Sequence, residues 1–172
     1  RALYIGSTHP QSSAIFYAEA LKELGYDVTT FDPNYFTSQS LLNRFHIKLF
    51  KAPLSHQIQI RDYELLSLLK KEDFDFIFVM SENFLSPNTL QEIKSLQKKK
   101  CPPLVYHSHD NNFSKGILKP ESFWTALKSY DFVFTTKSQN LERYKNLGQT
   151  HSYYIPSAYS PRAHRFVSDA ES

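Results

Sequence analysis

The chain has 172 residues, a net charge of +3, 14 Phe, 11 Tyr and a single cysteine, Cys101. That length suits one domain with a sizeable core, and the aromatic-rich apolar runs exclude a disordered tail. So small a net charge gives no electrostatic footprint for nucleic acid, and one cysteine excludes an internal disulfide and a cysteine-based zinc cluster. A reducing, cytoplasmic setting is expected. No apolar run approaches the roughly 20 residues of a membrane-spanning helix, and no signal peptide is recognisable. The opening at Arg1, with a strand close behind it, suggests a chain that begins inside a longer sequence or after a trimmed N-terminus.

Strand and helix signals alternate along the chain, the pattern of βαβ units, so the expected fold is a Rossmann-like, doubly wound, mostly parallel α/β sheet. Ala2 to Ile5 predicts the first strand, turning at Gly6. Pro10 suits the first turn of a helix, and Ala14, Ile15, Ala18, Leu21 and Leu24 follow at helical spacing. Gly25 sits where a helix end favours the left-handed conformation, and Asp27 to Phe31 predicts a second strand.

From Ser38 to Lys71 the spacing predicts two helices separated near Pro53. Leu41, Leu42, Phe45 and Leu49 mark the apolar face of one, and Tyr63, Leu66 and Leu69 that of the other. The run Phe74 to Met80 is the strongest strand, and its nearly continuous apolar character places it mid-sheet with both faces covered. A helix from Pro87 to Lys100 follows, ending in cations that suit the negative end of its dipole. Then come a strand at Leu104 to His107, a polar loop, a helix at Glu121 to Ser129 and a strand at Phe132 to Thr135. A helix at Gln139 to Leu147 and a strand at Ser152 to Ile155 complete the series.

Open parallel sheets bind ligands at the carboxyl ends of their strands, which selects four loops. The first, Gly6 to Ser13, has neither a dinucleotide-binding glycine pattern nor a P-loop. Its Ser7, Ser12 and Ser13 hydroxyls either cap a helix or hold a sugar, and His9 is either a base or a solvated loop residue. The second is Ser81-Glu82-Asn83. In the third, His107, His109, Asp110, Asn111 and Asn112 cluster beyond a strand, either as a site with a general base or as an Asx-turn at Asp110 and Asn111. His107 and His109 are expected to point to opposite sides of the extended chain, so that no metal is shared. The fourth, Thr135 to Asn140, offers Lys137 to an anionic group or to solvent.

The segment Leu41 to Lys51 combines its apolar face with Arg44, Lys48 and Lys51. Such a helix can lie on anionic lipid. The reading favoured by sequence is a core-facing helix with its basic residues in water.

One stretch resembles a known family. Tyr130 to Lys137, Asn140, Leu147-Gly148, Tyr153 to Pro156, Ala158-Tyr159, Pro161 and His164 resemble the end of the N-terminal domain of the CgeB-like spore-maturation glycosyltransferases, a bacterial group of GT-B architecture. Asp110 and Asn112 fall where that family tends to have an aspartate and an asparagine, and Leu3 to Gly6 and Leu24 to Val28 are similar too. The resemblance implies an acceptor-side domain over residues 1–160 and a linker or tail over 161–172. The C-terminal half that would hold the nucleotide-sugar donor is then expected to be absent from these 172 residues. It further implies sugar transfer to a hydroxyl acceptor in the cleft between the halves, with neither metal nor cofactor. His9 or Asp110 would be the base, with Ser7, Ser12, Ser13, His107, His109, Asn111, Asn112 and Lys137 against the substrate. A non-catalytic half that binds a glycan or a protein partner is the alternative, and a GT-B epimerase or phosphorylase a third.

Overall fold

In the computed structural model the chain forms a Rossmann-like, doubly wound α/β domain around a six-stranded sheet whose strand pairs are all parallel. The structure describes residues 1–38, 41–50, 55–80, 85–96, 102–114 and 119–157, with side chains left aside at 36–38, 43, 47 and 50. The loop Ser81-Glu82-Asn83, the cations Lys98, Lys99 and Lys100, Pro53 and everything from 158 onward lie outside the described residues.

The elements in order are β1 (Ala2–Ile5), α1 (Ile15–Glu23), β2 (Val28–Phe31), α2 (Pro33–Ser38), α3 (Leu41–Phe50) and α4 (Ser55–Lys71). Then follow β3 (Phe76–Met80), α5 (Pro87–Leu96), β4 (Leu104–Ser108), α6 (Glu121–Leu127), β5 (Phe132–Thr135), α7 (Gln139–Asn146) and β6 (Ser152–Tyr154). The strands lie in the order β2-β1-β3-β4-β5-β6, so the winding reverses between β1 and β3. In open parallel sheets ligands bind at the carboxyl ends of the strands, commonly beside such a reversal.

Side-chain alternation along each strand divides the core between the two faces. Leu3 and Ile5 of β1, Ile77 and Val79 of β3, Leu104 and Tyr106 of β4 and Val133 of β5 point to one face. There they meet Leu65 and Leu69 of α4, Leu90 and Ile93 of α5, Phe123 and Leu127 of α6 and Tyr144 of α7. The opposite face carries Tyr4, Phe78 and Met80 against Ala14, Tyr17, Ala18 and Leu21 of the α1 segment. Beyond α1, Phe132 and Tyr153 remain 37% and 46% exposed; their rings contact each other, and Tyr153 also contacts Phe134.

Two helices end alike. Gly25 at φ 89° and Gly148 at φ 92° occupy the left-handed region. Around them Gly25 N–H donates to Lys22 O and Tyr26 N–H to Leu21 O, while Gly148 N–H donates to Lys145 O and Gln149 N–H to Tyr144 O. Both are Schellman closures, which satisfy carbonyls that a helix end otherwise leaves unbonded. Gly6 is required for a different reason: a Cβ there would lie 2.5 Å from the Tyr4 hydroxyl.

Four points differ from the expected pattern. Pro10 does not begin a helix; it sits in a turn closed by Ser12 N–H on His9 O, and α1 starts only at Ile15. Between β2 and β3 a short helix, α2, precedes the two expected ones, because Asp32 accepts the N–H of Asn34 and fixes the turn at Pro33. The third concerns α3, whose apolar face is turned outward: Leu41, Leu42, Phe45 and Leu49 are 79%, 77%, 63% and 58% exposed. A helical stripe reports amphipathicity but not the partner, and α3 packs along α2 instead of on the sheet. In α4, Leu66 and Leu69 are buried as expected, whereas Tyr63 is exposed.

Candidate functional site

The loop after β1 is tied to the end of β2. Asp32 Oδ2 accepts from Thr8 N–H at 2.7 Å and from the Thr8 hydroxyl at 3.0 Å. A cavity of about 730 Å³ opens beside this tie, lined among others by Ser7, Thr8, His9, Asp32, Asn34 and Tyr35. This lies in the roughly 300–1,000 Å³ range of small-molecule sites. Ser7 is buried, and its hydroxyl accepts from His9 N–H at 3.3 Å. His9 is exposed, and its Nδ1 accepts the N–H of Gln11 at 3.2 Å. A neutral imidazole that accepts at Nδ1 carries its proton on Nε2, so His9 presents a donor there. Ser12 serves the local backbone, accepting Ala14 N–H at 3.3 Å, and Ser13 is exposed.

The third and fourth loops are clasped together on the helix-covered face. Asn112 is buried and donates to the Ser108 hydroxyl at 3.0 Å and the Tyr144 hydroxyl at 2.8 Å. Asn140, equally buried, donates to Asp110 O at 2.9 Å and the Thr135 hydroxyl at 3.2 Å. Thr136 closes the same gap, its hydroxyl donating to His109 O at 2.9 Å. Asn111 forms an Asx-turn by accepting Phe113 N–H at 3.1 Å. Asn111 and Asn112 thus shape the loop, and Asp110 is left exposed at its tip.

On the other face the two histidines meet. The rings of His107 and His109 lie edge to face, 4.6 Å apart, and Tyr17 of α1 packs on both, at 4.8 and 5.2 Å. This corrects the expectation that they point to opposite sides, since residues two apart on an extended chain share a face. Phe78 continues the stack under His107. His107 is 2% exposed, and its Nδ1 has no hydrogen-bond partner; nor does the buried Nε2 of His109. Burial, and then the neighbouring His109, push the His107 pKa down to about 4. Burial also lowers that of His109, with the Asp110 carboxylate opposing and the Lys137 ammonium reinforcing the shift. Near neutral pH the pair is therefore uncharged, and His109, Asp110 and Lys137 are close enough to feel one another. Among the described residues no group of three or more His, Cys, Asp or Glu is placed to hold a metal ion.

A second cavity, of about 530 Å³, lies between α4 and α5 beside Asp62, Ser86 and Thr89. Its carboxylate is already engaged: Asp62 accepts from Arg61 at 2.7 Å and from the Thr89 hydroxyl at 2.6 Å. The Thr89 bond pins α5 to α4, which makes this cavity a packing seam.

The candidate residues therefore divide. Ser7 and His9 stand at the β1–β2 cavity, while His107, His109, Asp110 and Lys137 gather beyond β4 and β5. Sequence reasoning missed Asp32, Tyr17 and Phe78. Asp32 directly follows a predicted strand, and Tyr17 belongs to the stripe Ala14, Tyr17, Ala18, Leu21, so both carried a positional signal. No family model matches the chain, and no curated protein matches it.

Proposed function

We propose that this chain is the acceptor-side half of a bacterial, cytoplasmic GT-B glycosyltransferase of the CgeB-like kind, passing a sugar from a nucleotide-sugar donor to a hydroxyl acceptor. The observation that carries the reading is the hydroxyl-lined cavity at Ser7, Thr8, His9 and Asp32, at the carboxyl ends of β1 and β2. Its size suits a sugar, and open parallel sheets take ligands at this edge. The resemblance over Tyr130 to His164 supports the same reading.

In this mechanism Ser7, Thr8 and the His9 Nε2–H orient the acceptor by hydrogen bonds. Tyr17 and the half-buried, uncharged His109 offer ring faces to a second sugar, with the buried His107 packed against both. β1 and β4 are separated by β3 alone, about 10 Å at ~4.8 Å per strand, a span that a two-sugar acceptor bridges. Asp110, exposed beside His109 and Lys137, is the carboxylate that takes the acceptor proton as the new glycosidic bond forms and the nucleotide departs. The leaving diphosphate is stabilised by helix ends and basic groups of the donor-side half.

The test is nucleotide-sugar turnover by the protein extended with the sequence that follows Ser172. Asp110→Asn is expected to lower kcat by about 100-fold or more, and His9→Ala to raise the acceptor KM. Normal turnover in both variants overturns these roles. If no donor-side domain follows, or the extended protein consumes no nucleotide sugar, the transfer reading gives way to a half that binds a glycan or a protein partner.

A further inference from the structure

We infer that α3 is an interfacial helix that docks this domain on an anionic lipid surface. Leu41, Leu42, Phe45 and Leu49, four large apolar residues of this helix, are all more than half exposed. At 3.6 residues per turn they fall within an arc of about 100°. Arg44 and Lys48, both exposed, lie along one border of that arc. An apolar stripe edged by cations is the arrangement that lets a helix lie in the plane of a bilayer, its aliphatic side chains among the acyl chains and its cations at the phosphates.

Charge identifies the occupant. From Pro33 to Ile60 the sequence holds no Asp or Glu, yet it carries Arg44, Lys48 and Lys51. A chain with 17 acidic residues in 172 would be expected to place a few in such a stretch. A carboxylate there would repel anionic headgroups, so its absence around an exposed apolar helix complements a negative surface. The exposed Tyr35 of α2 precedes this helix and offers an aromatic ring suited to the headgroup level. Among the described residues no helix is long and apolar enough to cross a membrane, so the contact is peripheral. The apolar stripe and its cations lie outside the carboxyl-edge cavity, whose lining includes Tyr35.

The experiment is vesicle flotation of the 172-residue chain. Two vesicle types are compared: phosphatidylcholine alone, and phosphatidylcholine with about 30 mol % phosphatidylglycerol. Wild type is expected to float with the anionic vesicles and to be released by about 0.5 M salt. R44Q/K48Q should weaken partitioning about thirtyfold, at roughly fivefold per cation, and F45S should abolish flotation. Both variants change exposed side chains, so an unchanged far-UV circular dichroism spectrum and melting temperature serve as the folding control. No flotation with anionic vesicles overturns the inference, as does binding that R44Q/K48Q leaves untouched. A lipid-free dimer that F45S dissociates also overturns it, assigning the face to a second copy of the chain.

Discussion

On one face of the sheet four helices bury Leu3, Ile77, Tyr106 and Val133 completely, and the edge above them is clasped by Asn112, Asn140 and Tyr144. The other face is lighter: α1 covers Tyr4, Phe78 and Met80, while Phe132 and Tyr153 stay partly exposed and the imidazoles of His107 and His109 keep unpartnered ring nitrogens. The same strands supply both faces, so composition alone does not explain the difference. It arises because every crossover from β2 onward lays its core-packing helix on one side. The closed face holds the larger share of the core, and the open one leaves Phe132 and Tyr153 uncovered beyond α1.

The comparison breaks first under truncation. Leu65→Ala, on the closed face, is expected to cost about 2–5 kcal/mol. Tyr153→Ala, on the open face, should change stability by less than about 1 kcal/mol. Urea unfolding of the two variants compares the faces directly, and equal losses would show that the open face is also core. Next in size is acid. An unfolded histidine takes up its proton near pH 6.5, whereas His107 in the fold resists until about pH 4. The unfolded chain therefore binds more protons across that window, and stability falls as pH drops from 6.5 towards 4, by up to about 3 kcal/mol from this residue. His107→Phe should flatten that part of the profile.

The clasp is tested by Asn112→Ala, which removes the donor to the Ser108 hydroxyl and one of two donors to the Tyr144 hydroxyl and is expected to cost about 1–3 kcal/mol. Faster amide exchange at Asn111 to Ser114 would accompany it if the side chain holds the loop. Smallest is Gly148→Ala. Nothing crowds a Cβ there, so the cost is the positive φ alone, about 1 kcal/mol. A melting-temperature comparison with wild type measures it.

Much of the fold was legible because strands and helices impose different periods. β1 and β5 lie at their predicted bounds, and β3 sits mid-sheet as its apolar run implied. Gly25 and Gly148 mark helix ends, since few other residues tolerate the left-handed region. The site was less legible. His107 and His109 were visible as types, but their meeting depends on the pleat and on Tyr17 arriving from a helix some ninety residues earlier. Asp32 was passed over because its task, holding Thr8, joins two loops that are separate in sequence. Asn112 read as a ligand residue and proves to be buried within hydrogen bonds of the scaffold.

By itself the sequence determined the element types, the parallel α/β class and the glycine-closed helix ends, because these follow from local sterics and from the spacing of apolar side chains. Tertiary structure alone decided the strand order, which face each helix covers, the outward turn of α3 and the neutral histidine pair. Each of those depends on contacts between residues far apart in the chain, where burial and hydrogen bonding outweigh local preference.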